Sequence, residues 1–214
     1  MKKALFILIA VAAMVSLAAA QTAVPKAKLP ILTTSAGQSN HVNSLNIVLD
    51  DADIKFDYCD VPTVEMIKSG VGLGGRQSGE GFHAESNTDT AKFPKGSPFK
   101  TVIVAIGASL KGMGASGLTL ETEEARVKNI IDYCKKNKIF VVAVHIGGEA
   151  GRGQAGSDNE RMIDAVAPLA DYIVATKDSN KDGRFTKIAE AGKIPLTQIQ
   201  FARDLLEILK KMFS

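Results

Sequence analysis

The sequence predicts an α/β fold: a doubly wound, Rossmann-like or flavodoxin-like three-layer sandwich on a parallel six-stranded sheet of order 2-1-3-4-5-6. Three observations carry that prediction. Strand and helix signals alternate along the chain, as in successive βαβ units. Thr101 to Ile106 and Ile139 to Val144 are apolar almost without interruption, which requires both of their faces to be covered. Four apolar runs stop in polar, glycine-rich loops: Ser35 to Ser39, Gly107 to Gly117, His145 to Glu149, and Lys177 to Gly183. In a parallel sheet such loops leave from one edge, the edge where α/β proteins bind ligands.

The elements follow in order. Lys2 and Lys3, the apolar stretch Ala4 to Leu17 and Ala18-Ala19-Ala20 have the layout of an export signal at residues 1–20. The apolar stretch is short for a membrane span, and nothing after Gln21 approaches that length. Removing 20 of 214 residues leaves 194, enough for one domain. Residues 21–29 form a Pro-containing linker, and 30–214 the domain. Strands are expected near 30–34, 54–59, 100–107, 139–146, 171–176 and 195–199. Helices are expected near 39–51, 62–69, 120–137, 157–169, 185–191 and 201–213. Val127, Ile130, Ile131 and Cys134 recur at the spacing of one buried helical stripe. Ser157-Asp158-Asn159-Glu160 has the form of a capping box.

Strand order follows from exposure. Ile54-Lys55-Phe56-Asp57-Tyr58 alternates and Pro195 to Ile199 is short and mixed, so the second and sixth strands are placed at the edges. The chain then reverses direction between strands one and three, and a crevice opens between their loops. Residues 70–99, rich in glycine and poor in apolar anchors, read as an insertion. Its composition favours disorder, with a lid over the crevice as the alternative.

Charge excludes one class of partner. The chain has 26 Lys+Arg against 23 Asp+Glu, and 24 against 23 without Lys2 and Lys3. No dense basic run marks a nucleic-acid surface. Cys59 and Cys134, expected on opposite sides of the sheet, read as two separate buried thiols.

The candidate ligand-binding residues are Ser35, Gly37, Gln38, Ser39, Ser109, Lys111, Gly112, Gly114, His145, Gly147, Gly148, Glu149 and Arg152. Backbone N–H groups at helix starts, with Lys111, suit a carboxylate or phosphate, and the hydroxyls and amides suit a polyhydroxy ligand. No cofactor is expected. The Gly-x-Gly-x-x-Gly at Gly70 follows a helix, and the one at Gly112 sits on the third strand without an acidic ribose ligand, so neither makes a dinucleotide site. His41, His83 and His145 lack metal-ligand spacing. Lys177, Asn180, Asp182 and Gly183 belong to a rim one strand further out. Asp178, Asn180 and Asp182 match the first half of an EF-hand calcium loop, but its twelfth position is Ala189; an Asx-type turn is the plainer reading. Glu149 and Arg152 are expected to pair, and His145 to be a hydrogen-bonded, half-buried ring.

Gly37-Gln38-Ser39-Asn40 resembles the nucleophile block of SGNH-like carbohydrate acetylesterases, and His145 to Glu149 faintly resembles a second block. That resemblance implies a serine hydrolase with Ser39 as nucleophile and His145 as the candidate base; the late Asp-x-x-His of those enzymes is missing, since no histidine follows His145. More broadly, Pro30 to Ser39, Lys111 to Gly117, His145 to Ala150 with Arg152, and Asn180 to Thr186 resemble an uncharacterised family of exported prokaryotic α/β domains. The leading expectation is an exported protein, periplasmic or extracellular, that binds a small anionic or polyhydroxy ligand. The alternatives are the Ser39 hydrolase and a protein-docking module without catalysis.

Overall fold

A computed structural model describes residues 23–214, so the signal segment at 1–20 lies outside the described residues. Six strands run parallel: β1 (Ile31–Ala36), β2 (Phe56–Cys59), β4 (Thr101–Ile106), β5 (Phe140–His145), β6 (Tyr172–Thr176) and β7 (Leu196–Ile199). A seventh, β3 (Ala84–Ser86), lies antiparallel on β2, and the order is 3-2-1-4-5-6-7. Alternation along the strands divides two cores. Leu32, Val102, Val104, Val141, Ala143 and Ile173 face one side, while Ile31, Phe56, Ile103, Val142, Val144 and Val174 face the other.

Helices complete the layers. On the first face lie α2 (Val64–Lys68), α4 (Leu120–Lys136), α5 (Asp158–Val166) and α6 (Arg184–Gly192). On the second lie α1 (His41–Asp51), through Val42, Leu45, Val48 and Leu49, and α7 (Leu205–Phe213), through Leu205, Ile208, Leu209 and Met212. The predicted stripe of α4 is buried, and its first turn carries Glu121 and Glu123 while its last carries Lys135 and Lys136, each suited to the helix dipole.

Six expectations are corrected. The sheet has seven strands, and β2 is not an edge. Its alternation misleads because Asp57, a polar residue in the pattern, is fully buried: its carboxylate accepts from Gly72 N at 2.6 Å, Thr88 N at 3.2 Å and Ser86 Oγ at 3.4 Å. All three donors come from residues 70–99. That segment is folded, not disordered, and it also buries Val71, Leu73 and Phe99 in the first core. Part of the loop after β4 is a helix, α3 (Leu110–Ala115), whose N-cap Ser109 accepts from Gly112 N at 3.1 Å. The capping box of α5 does not form: Ser157 makes no side-chain cap bond, and Glu160 is taken by Arg152. Cys59 and Cys134 are buried free thiols, but in the same core. Alternation from Phe56 puts Cys59 on the face that α4 covers.

Candidate functional site

β1 and β4 are neighbours, so their loops meet at the direction reversal. Gly107 N donates to Ala36 O at 2.9 Å and Ser109 N to Gly37 O at 2.7 Å, tying the two loops backbone to backbone. Gly37, at φ +93°, permits this; a Cβ there would lie 2.5 Å from Gly107 O. The space between the strand ends holds the imidazole of His41, from the first turn of α1. Its Nδ1 lies 2.9 Å from Ile106 O, so Nδ1–H donates to that carbonyl. A Cβ at Gly107 would overlap His41 Nδ1, and one at Gly147 would overlap Cε1. The glycines of β4 and β5 therefore make room for a ring of the chain itself.

The backbone donors of these loops also have internal acceptors. Glu123, fully buried on α4, accepts from Gly37 N at 2.7 Å and from Gln38 Nε2 at 3.1 Å. Arg126 holds that carboxylate through Nε at 2.7 Å and donates to Ser35 O at 2.8 Å. Ser35 Oγ accepts from Gln38 N at 3.1 Å. Ala108 N donates to Asn159 Oδ1 at 2.8 Å and Glu149 N to Asp178 Oδ2 at 2.9 Å. The carboxylate that these loops suit is supplied from α4. Lys111 and Gly114 are exposed on α3, and Gly112 packs on Gln38.

His145 is fully buried, more deeply than expected. Its Nε2–H donates to Gly151 O at 3.0 Å, and its Nδ1 accepts from Ser179 Oγ at 2.8 Å. Burial pushes its pKa down to about 4, against the Gly151 carbonyl, which favours the charged form. Both ring nitrogens are thus engaged within the core. Ser39 Oγ instead accepts from His41 N at 3.4 Å.

Arg152 does not pair with Glu149. It binds Glu160 Oε1 through Nε at 2.6 Å, Asp182 Oδ2 through Nη2 at 2.9 Å, and the Ser179 carbonyl through Nη1. That contact holds the Asp182 carboxyl down at about 2. Glu149 pairs with Lys181 at 2.9 Å. Asn180 Oδ1 accepts from Phe185 N at 2.8 Å and Thr186 N at 3.3 Å, starting α6 at the turn that Gly183 completes with φ +71°. Asp178, Asn180 and Asp182 thus face three different protein donors. Gly148 packs on Asp178, and Lys177 is exposed at the end of β6.

An open pocket lies one strand outward, with a volume of about 520 Å³. Its floor is Gln38, Ser39 and Asn40 with the α1 residues Val42, Asn43, Asn46, Ile47 and Asp50; its wall is Tyr58 of β2 and Asp60 just after it, with His83 and Glu85 of the insertion. The lining holds four amides, three carboxylates and no Lys or Arg. Asn46 Oδ1 is buried, with no hydrogen-bond partner among the described residues. Burial raises the Asp60 carboxyl, although the His83 N–H at 2.7 Å opposes it. Burial likewise raises the Tyr58 phenol, whose ring meets His83 at 5.6 Å with the two planes tilted by 46°. A larger groove, about 760 Å³, lies between α2 and α4, lined by Pro62 to Glu65 and by α4 residues from Thr122 to Lys136. Among the described residues no group of His, Cys, Asp and Glu has metal-binding geometry, and no helix is long and apolar enough to cross a membrane.

The family described as "Domain of unknown function (DUF6305)" matches residues 28–213. The chain belongs to the DUF6305 family. No curated protein matches it. A solved structure, the X-ray crystal structure of the YdjI aldolase from Escherichia coli K12, is 13% identical over 86% of this chain and 73% of that one. Its TM-score of 0.26 is too low to carry an argument about this DUF6305 domain.

Sequence reasoning brought Ser35, Gly37, Gln38 and Ser39 to the strand junction but missed His41, Asn46, Asp57, Asp60, Glu85 and Glu123. One signal was present. Asn43, Asn46 and Asp50 recur at i, i+3 and i+7, a polar stripe along one side of α1 beside its apolar one.

Proposed function

We propose that this protein is an exported binding protein for a small, uncharged polyhydroxy ligand, held in the pocket between α1 and the 70–99 segment. The observation that carries the reading is the lining: amides and carboxylates with an unpaired, buried Asn46 carbonyl and no cationic side chain. Amides and carboxylates accept hydroxyl hydrogen bonds in pairs, whereas the same carboxylates repel an anion. The half-exposed His83 ring, backed by the buried Tyr58, supplies an apolar surface for ring C–H groups. This narrows the anionic-or-polyhydroxy expectation to its second half. The Ser39 hydrolase loses support because His145 has no free nitrogen for it.

A thermal-shift panel of the mature protein against neutral sugars and polyols, phosphates and carboxylates tests the reading. A ligand present at about 100 times its dissociation constant adds about 2.7 kcal/mol. The expected shift comes from a neutral polyol or sugar and disappears in Asn46→Leu. A shift given by phosphate alone, or by no polyhydroxy compound, would sink it.

A further inference from the structure

The insertion carries a chain of hydrogen bonds that runs from the pocket wall to a serine outside the pocket lining. Ser78 Oγ lies 3.0 Å from His83 Nδ1, and His83 Nε2 lies 2.7 Å from Glu85 Oε1. Glu85 accepts only, so Nε2 carries the ring proton and Nδ1 presents its lone pair to the Ser78 hydroxyl. The backbone fixes all three. Ala84 N donates to Ser78 Oγ at 2.9 Å, His83 N donates to Asp60 Oδ1 at 2.7 Å, and Tyr58↔Glu85 is a registered pair of the sheet. The hydroxyl proton has a second acceptor, Ala84 O at 3.1 Å, so the resting bond to Nδ1 is shared. The His83 and Glu85 side chains are each about half exposed, open to a reactant.

Nucleophile, base and orienting carboxylate in hydrogen-bond sequence are the parts that activate a serine. We infer that Ser78, His83 and Glu85 form a hydrolytic relay that cleaves small carboxylic esters. Ser78 Oγ adds to the ester carbonyl carbon as its proton passes to His83 Nδ1. The carbon–oxygen bond to the alcohol breaks, and the leaving oxygen takes that proton. Water then attacks the acyl-serine by the same route, releasing the acid and restoring the hydroxyl. Ser78 and His83 are the catalytic residues; Glu85 is a positioning residue. His83 and Glu85 also wall the pocket, but Ser78 does not line it and Asn46 takes no part in the relay, so Ser78→Ala and Asn46→Leu let the two readings fail separately.

The test is labelling of the full mature chain with a fluorophosphonate probe, located by intact mass and peptide mapping, beside turnover of p-nitrophenyl acetate. A single adduct on Ser78 is expected, absent in Ser78→Ala. His83→Gln should slow labelling at least about 100-fold. Glu85→Gln should lower kcat for the ester with KM unchanged, and Glu85→Asp should recover part of it. Unchanged thermal melts of His83→Gln and Glu85→Gln, both exposed sites, separate loss of chemistry from loss of fold. No adduct, an adduct on another residue such as Ser39, or a labelling rate indifferent to His83→Gln overturns the proposal.

Discussion

The Glu123 carboxylate accepts the backbone N–H of Gly37 at 2.7 Å, across 86 residues of sequence. A turn between a strand and a helix that would attract an outside anion is satisfied from within, and Arg126 balances the charge. Glu123→Ala should therefore cost about 3–5 kcal/mol in urea unfolding, because it strands Arg126 in a buried site. Formate should recover part of that loss by refilling the position, and should leave the wild type unchanged. An unchanged midpoint for Glu123→Ala would refute the role.

Gly107→Ala should destabilise by about 1–3 kcal/mol, since its Cβ would overlap the His41 ring. In a His41→Ala background the same change should cost less, the remaining overlap being with Ser39 Oγ at 2.5 Å. A double-mutant cycle measures the coupling, and additive losses would show that the ring does not set the need for glycine.

His145 makes stability depend on acid. Its folded pKa of about 4 lies below the ordinary 6.5, so the unfolded chain binds a proton that the folded chain refuses between those values. The stabilisation is complete above about pH 6.5 and is lost as pH falls toward 4, about 3 kcal/mol in all. Chemical unfolding over that window, compared with His145→Gln, should show the slope only in the wild type.

Asp57 fastens the 70–99 segment to the sheet. Asp57→Ala leaves three donors without their acceptor and should open this segment locally before the rest of the fold. Limited proteolysis should then cut within residues 70–99, and any ligand-induced thermal shift should vanish. Cleavage first at another loop would contradict this.

The parallel core was legible in the sequence because burial on both faces leaves a continuous apolar run, as in Thr101 to Ile106. α4 was legible because Val127, Ile130, Ile131 and Cys134 repeat at a helical period. β3 was not. Ala84-Glu85-Ser86 is too short to show an apolar pattern, and its place is set by antiparallel pairing with β2. Ser157 to Glu160 misled for a related reason: Arg152 offers Glu160 a charged partner, which outweighs a neutral cap. His41 was passed over because a histidine just inside a helix start gives no local sign of the cleft it fills. The pocket shares that difficulty, since its floor and wall are joined only in space.

The fastening of the insertion at Asp57 separates two things that folds usually confound. The floor of the pocket belongs to α1, whose opposite side is committed to the core and tolerates little change. The wall belongs largely to a segment outside the repeating βαβ path, held by the carboxylates of Asp57 and Asp60 and a few apolar residues. Changes along this segment away from Ser78, His83 and Glu85 are thus free to reshape the wall while the sheet keeps its stability. Recognition here is a replaceable fitting on a permanent frame.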